Sequence, residues 1–157
     1  MSLFVSVFCQ SAEPIRAKDL FEFVKEGSYF ENPPSVTTSP PNSDTMWTRI
    51  DIDYDPGERP VSVYRVEKSD IAEHVEEAID ELREANLVKT QSALVKKLKK
   101  SREVFALEID PVAATDDCWE MVSSLEAWLA RERNGVVYAP NDGFFDGELN
   151  RICDLPE

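Results

Sequence analysis

At 157 residues, with 31 acidic side chains against 17 lysines and arginines, the chain has the length of one ordinary domain and a formal net charge of −14. Hydrophobic residues at 42% and charged residues at 31% exclude a wholly disordered chain, a collagen, a coiled coil and a disulfide scaffold, and no apolar run approaches the ~18–20 residues of a membrane span. The acid excess argues against nucleic-acid and anionic-membrane binding, which need clustered Lys and Arg; it favours solubility, which is reason enough for it, and is compatible with a basic protein partner met by electrostatic steering.

The opening MSLFVSVFCQ lacks the basic stretch and small-residue cleavage site of a signal peptide. Within it, LFVSVFC (3–9) is apolar on both faces apart from Ser6 and predicts a buried strand. AKDLFEFVKE (17–26) predicts a short helix with Leu20, Phe23 and Val24 inward, Phe21 at the edge, and Gly27 as its stop. Residues 31–45, ENPPSVTTSPPNSDT, hold four of the ten prolines and predict an extended loop inside a single domain spanning 1–157.

MWTRIDIDYD (46–55) alternates strictly, with Ile50, Ile52 and Tyr54 on one face and Trp47, Arg49, Asp51, Asp53 and Asp55 on the other. A turn at Asp55-Pro56-Gly57-Glu58 leads into PVSVYRVEK (60–68), predicting a β-hairpin. Pairing Tyr54 with Val61 and Ile52 with Val63 aligns the apolar sets and puts Asp51 beside Tyr64. Residues 70–86 predict the clearest helix, with Ser69 as N-cap and Ile71, Val75, Ala78, Ile79, Leu82 and Ala85 inward. Its outer side is a dense acid stripe: Glu73, Glu76, Glu77, Asp80, Glu81 and Glu84.

A helix over 91–100 follows, Leu94, Val95 and Leu98 inside and Lys96, Lys97, Lys99 and Lys100 outside, placed to neutralise that stripe within the fold. REVFALEIDP (102–111) predicts a strand. Thr115 starts a long helix with Cys118, Val122, Leu125 and Leu129 inward, closed by Asn134-Gly135 in left-handed conformation. Val136–Tyr138 predicts a short strand, and the remainder a turn-rich tail that folds back over the sheet edge. The order matches a ferredoxin-like βαββαβ core with an added helix and strand, its mixed or antiparallel sheet covered by helices: an α+β fold.

The chemistry-bearing patterns are few. Asp51-x-Asp53-x-Asp55 opens like a calcium loop, but Pro56 and Ser62 stand where Gly and Glu are required, and strand alternation explains the spacing without a metal. Cys9, Cys118 and Cys153 are odd in number and widely spaced, which supports neither a zinc site nor a disulfide framework and fits a reducing cytoplasm. His74, the only histidine, sits at the edge of a core stripe. No phosphate loop, dinucleotide fingerprint, nucleophile elbow or metalloprotease motif is present, so no catalytic residue, cofactor or metal is assigned.

The candidate surfaces are therefore partner-binding ones. Glu73, Glu77 and Asp80 offer an acid face to a basic protein. Asp51, Asp53 and Tyr64 offer the hairpin, and Trp47, Tyr138, Asp142 and Phe144 a patch near the C-terminal turn. The alternative is an enzyme or small-ligand binder with a carboxylate-lined cleft near Asp51, Asp53, Tyr64 and Arg65, or beside Tyr138 and Asp142. A third reading is an acidic DNA mimic.

A helix ending LARERNG and followed by VVYAPNDGFFD resembles the close of small bacterial α+β proteins, some of them polymorphic-toxin immunity proteins. In those a phrase LA-(x)n-G-G-(x)n-D-(x)n-F follows a long helix, and Asn134-Gly135 stands here where a Gly pair is usual. MWTRIDIDYDPGERPVSVYRVEK is similar in type to their central hairpin. The resemblance implies a non-enzymatic bacterial domain that binds a partner, and it carries over no catalytic residue.

Overall fold

The structure, a computed structural model, describes residues 2–156. Its framework is one eight-stranded sheet, antiparallel at every pairing, in the order β2-β3-β4-β5-β1-β6-β7-β8. The strands are β1 (Leu3–Cys9), β2 (Ser35–Ser39), β3 (Arg49–Asp53), β4 (Val61–Arg65), β5 (Glu103–Ile109), β6 (Val136–Ala139), β7 (Gly143–Phe145) and β8 (Arg151–Asp154). The helices are α1 (Ala17–Glu26), α2 (Ile71–Glu84), α3 (Ser92–Lys99) and α4 (Asp116–Glu132).

Two helical layers follow from strands that are apolar on both faces. Val5, Val7 and Cys9 of β1, Phe105, Leu107 and Ile109 of β5 and Val137 of β6 pack with α1 and α4. Phe8, Val104, Val136 and Tyr138, the alternate residues of the same strands, pack with α2 and α3. A strand apolar on both faces is stable only between two covers, so β1 and β5 lie in the middle of the sheet.

That demand separates the fold from the ferredoxin-like core expected from the element order, which is not confirmed. After α2 and α3 the chain returns directly beside β4, so β5 lies between β4 and β1. The sheet is also larger than that core. Three strands come from two segments expected to be irregular. The β-branched run Val36-Thr37-Thr38 pairs with β3 inside the expected loop 31–45, and prolines on either side confine it to a short edge strand. The expected tail pairs as β7 and β8, prolonging the sheet beyond β6.

The hairpin register differs by two residues from the expected one. Ile52 lies opposite Val61 and Ile50 opposite Val63, so Asp51 faces Ser62, and Arg49 faces Tyr64. An even shift leaves each apolar side chain on its face. It opens a longer turn, in which Gly57 takes φ +93°, a conformation costly for any residue with a Cβ.

Helix boundaries hold with local differences. A single 3-10 turn, Lys68–Asp70, leads into α2, so Asp70 rather than Ser69 is its N-cap, without a side-chain capping bond. Thr115 Oγ1 accepts from the Cys118 amide at 3.2 Å and caps α4. At the far end Asn134 alone is left-handed, with φ +49°. Gly135 serves a different purpose: a Cβ there would lie 2.8 Å from the Phe8 carbonyl oxygen, so its bare backbone lets α4 turn tightly into β6.

Candidate functional site

The residues singled out in the sequence separate into three groups. Trp47, Tyr138 and Phe144 are core. Trp47 is 1% exposed, stacks on Phe105 and donates from Nε1 to the Ile15 carbonyl at 2.8 Å. Tyr138 stacks on the fully buried Phe144 with ring centroids 4.8 Å apart. Burial, reinforced by a hydrogen bond to Glu81, pushes the Tyr138 hydroxyl well above the usual phenol range. These rings have no surface to offer a partner, so the expected patch does not form. Asp142 is exposed and pairs with Arg151 at 3.1 Å.

Asp51 and Tyr64 belong to a polar network on the β3–β4 face that the α2–α3 cluster does not reach. Arg49 Nε and Ser62 Oγ both donate to Asp51 Oδ1, at 2.8 and 2.6 Å. The Tyr64 hydroxyl donates to Glu108 Oε1 at 2.9 Å, and Arg59 donates to Oε2 at 3.1 Å. Hydrogen bonds from Ser2, then Tyr64 and Arg59, hold the Glu108 carboxyl below the usual carboxylate range. The Arg49 guanidinium lies 5.2 Å from the centre of the Tyr64 ring. Asp51 is thus partnered within the fold, unlike Asp53 and Asp55 of the same alternation.

Asp53 and Asp55 are placed differently. They line a cleft of about 360 Å³ where β3 ends and α4 begins, together with Glu31 and Asp117. All four carboxylates are exposed, and none lies within 4.0 Å of a cation among the described residues. Phe30 and Tyr54, also in its wall, stack with centroids 5.6 Å apart and planes 23° from parallel. Burial pushes the Tyr54 hydroxyl far above its ordinary range, so it stays protonated. The carboxylates give this cleft an acidic wall beside the aromatic pair. No group of three or more His, Cys, Asp or Glu side chains among the described residues converges closely enough to hold a metal ion.

Sequence reading reached Asp53 and Asp55 but missed Glu31, Phe30, Thr115 and Asp117. These come from two segments far from β3 in the chain, brought to it by the pairing of β2 with β3 and by the seating of α4, and no spacing signals them.

The acid stripe of α2 forms as expected: Glu73, Glu76, Glu77, Asp80 and Glu84 are exposed and Glu81 is partly covered. Asp80 pairs only with Arg83, one turn on. The lysines of α3 make no ion pair with it. They belong to a run without acids between Glu84 and Glu103 that leaves a basic strip beside the acidic one.

The three cysteines are free and buried. Burial pushes the Cys9 thiol up to about 12 and raises Cys118 and Cys153 as well. A thiol so placed supplies little thiolate at neutral pH. No helix among the described residues is long and apolar enough to cross a membrane. In comparisons with known proteins, no family model, curated protein or solved structure matches the chain.

Proposed function

We propose that the protein is a non-catalytic binding domain that receives a lysine or arginine of a basic protein partner in the cleft lined by Glu31, Asp53, Asp55 and Asp117. The observation that supports this reading is one cleft lined by four exposed carboxylates without an ion-pair partner among the described residues, beside the Phe30–Tyr54 stack. Desolvating one cation against such a wall gives an anchor, while the exposed stripe of α2 acts at longer range. A net charge of −14 adds steering, which raises the rate of encounter more than the final affinity. The resemblance of the hairpin and C-terminal segments to immunity proteins points the same way, with a basic toxin as the partner. Three unpaired thiols suit a reducing cytoplasm as the place of action.

The test is capture from a lysate of the source organism on immobilised protein, with elution by a salt step and mass spectrometry. Wild type is run beside the Asp53→Asn/Asp55→Asn/Asp117→Asn variant. A basic protein retained by wild type and lost by the variant is the expected result. Equal recovery from both would remove the cleft from the interface.

A further inference from the structure

The acidic cleft does not stand alone. Along β2 its wall continues into a second depression. Pro33 and Ser35 line the cleft, and the next residues, Val36, Thr37 and Thr38, line a groove of about 660 Å³. Across this groove stand Ala17, Lys18 and Phe21 of α1, with Pro41–Asp44 closing one end. Phe21 is 38% exposed, a large apolar side chain that the fold leaves partly uncovered.

β2 is also an edge strand. It pairs with β3 on one side, and among the described residues no strand lies on the other. The outward amides and carbonyls of an edge strand are satisfied by water or by another extended chain. Short length, proline and charged side chains all blunt natural edges; β2 is short and lies between two proline pairs, but Ser35–Ser39 carries no charge of its own. An edge strand beside a helix, with an apolar groove between, is the arrangement that accepts an added β-strand.

We infer that the partner contributes an extended segment that adds as a ninth strand along β2, seats an apolar side chain against Phe21 and delivers its basic residue into the acidic cleft at the Ser35 end. This rests on the partner reading above and names the shape of what binds. The occupant follows from charge and backbone chemistry together: the cleft selects a cation, and the strand edge selects an extended backbone. The side chains of a strand point alternately to its two faces, so every second residue of the segment faces the groove and cleft.

The probe is a seven-residue peptide, Arg-Thr-Val-Thr-Val-Thr-Val, titrated into the full chain and followed by amide NMR and hydrogen exchange. Two counterparts accompany it, one with Arg replaced by Gln and one N-methylated along its backbone. Strand addition predicts saturable binding of the parent peptide and new exchange protection within Val36–Thr38. It also predicts at least tenfold weaker binding of the N-methylated form and weakening by Thr37→Lys. Equal affinity for parent and N-methylated peptides, with shifts confined to the cleft, would overturn strand addition and leave cation capture standing. Equal affinity for the Arg and Gln peptides would overturn the cleft's part in both readings. No saturable binding of any of them would overturn both.

Discussion

Phe30 and Tyr54 stack with their ring centroids 5.6 Å apart, joining the segment before β2 to the end of β3 in the wall of a cleft ringed by Glu31, Asp53, Asp55 and Asp117. On the proposed reading, the stack is an apolar surface against which a bound cation would lose water. A single exposed ion pair contributes about 0.2–1 kcal/mol. Asp117→Asn is therefore expected to weaken binding of an arginine-bearing ligand by about two- to fivefold, without loss of fold. Phe30→Ala removes the cation–ring contribution of about 0.5–1 kcal/mol at an exposed site and weakens it by a similar factor. Calorimetric titration of the two variants checks both values, and Glu73→Gln on the α2 stripe should change the salt dependence of association more than the affinity.

Glu126 on α4 is 9% exposed, and burial pushes its carboxyl up to about 7. Between the ordinary value and about 7 the folded state keeps a proton that the unfolded state has released. Stability therefore falls as pH rises through that window, and the penalty is complete above it. It amounts to about 3 kcal/mol in alkaline solution, from roughly 1.4 kcal/mol for each tenfold change. Glu126→Gln is predicted to raise the melting temperature at about pH 8 and to leave it nearly unchanged at about pH 4. A pH-independent effect in thermal melts would contradict this.

Arg65 and Glu103 form the most enclosed ion pair, Nε to Oε1 at 2.5 Å, with the Glu103 side chain 3% exposed. Arg65 also donates to the Thr45 carbonyl at 2.9 Å, tying β4 and β5 to the segment before Trp47. Removing the arginine leaves a buried carboxylate without a counterion, a loss of about 3 kcal/mol. Arg65→Met should cost that much in chemical denaturation, and the double variant Arg65→Met/Glu103→Leu should recover most of it.

Much of the architecture was legible because it rests on periodicity. β1, β5 and all four helices follow from apolar spacing, and the hairpin from strict alternation. β2 was hidden because five residues between proline pairs carry too short a pattern, and only pairing with β3 makes them a strand. Strand order was hidden for another reason. The element sequence is compatible with β5 on either side of β1, and the choice depends on which helix covers which face. Trp47 and Phe144 read as surface candidates because local alternation and flanking glycines do not report burial. The cleft was half legible: Asp53 and Asp55 lie on one strand, whereas Glu31 and Asp117 reach it only through tertiary packing.

Trp47 offers a check on that lesson. Trp47→Phe keeps the stack on Phe105 but leaves the Ile15 carbonyl without its donor, an expected loss of about 1–3 kcal/mol. Binding of a basic ligand should be unaffected. Gly135→Ala should destabilise by a similar amount, about 1–3 kcal/mol, because the new methyl would meet the Phe8 carbonyl oxygen.

Whether the cleft between β3 and α4 takes a cationic side chain is decided by amide NMR during titration with N-acetyl-arginine methylamide. Saturable shifts concentrated at residues 30–35, 53–56 and 115–117, diminished by salt and by Asp53→Asn/Asp117→Asn, are the expected result. Shifts centred on the α2 stripe from Glu73 to Glu84, or a linear response without saturation, would contradict it.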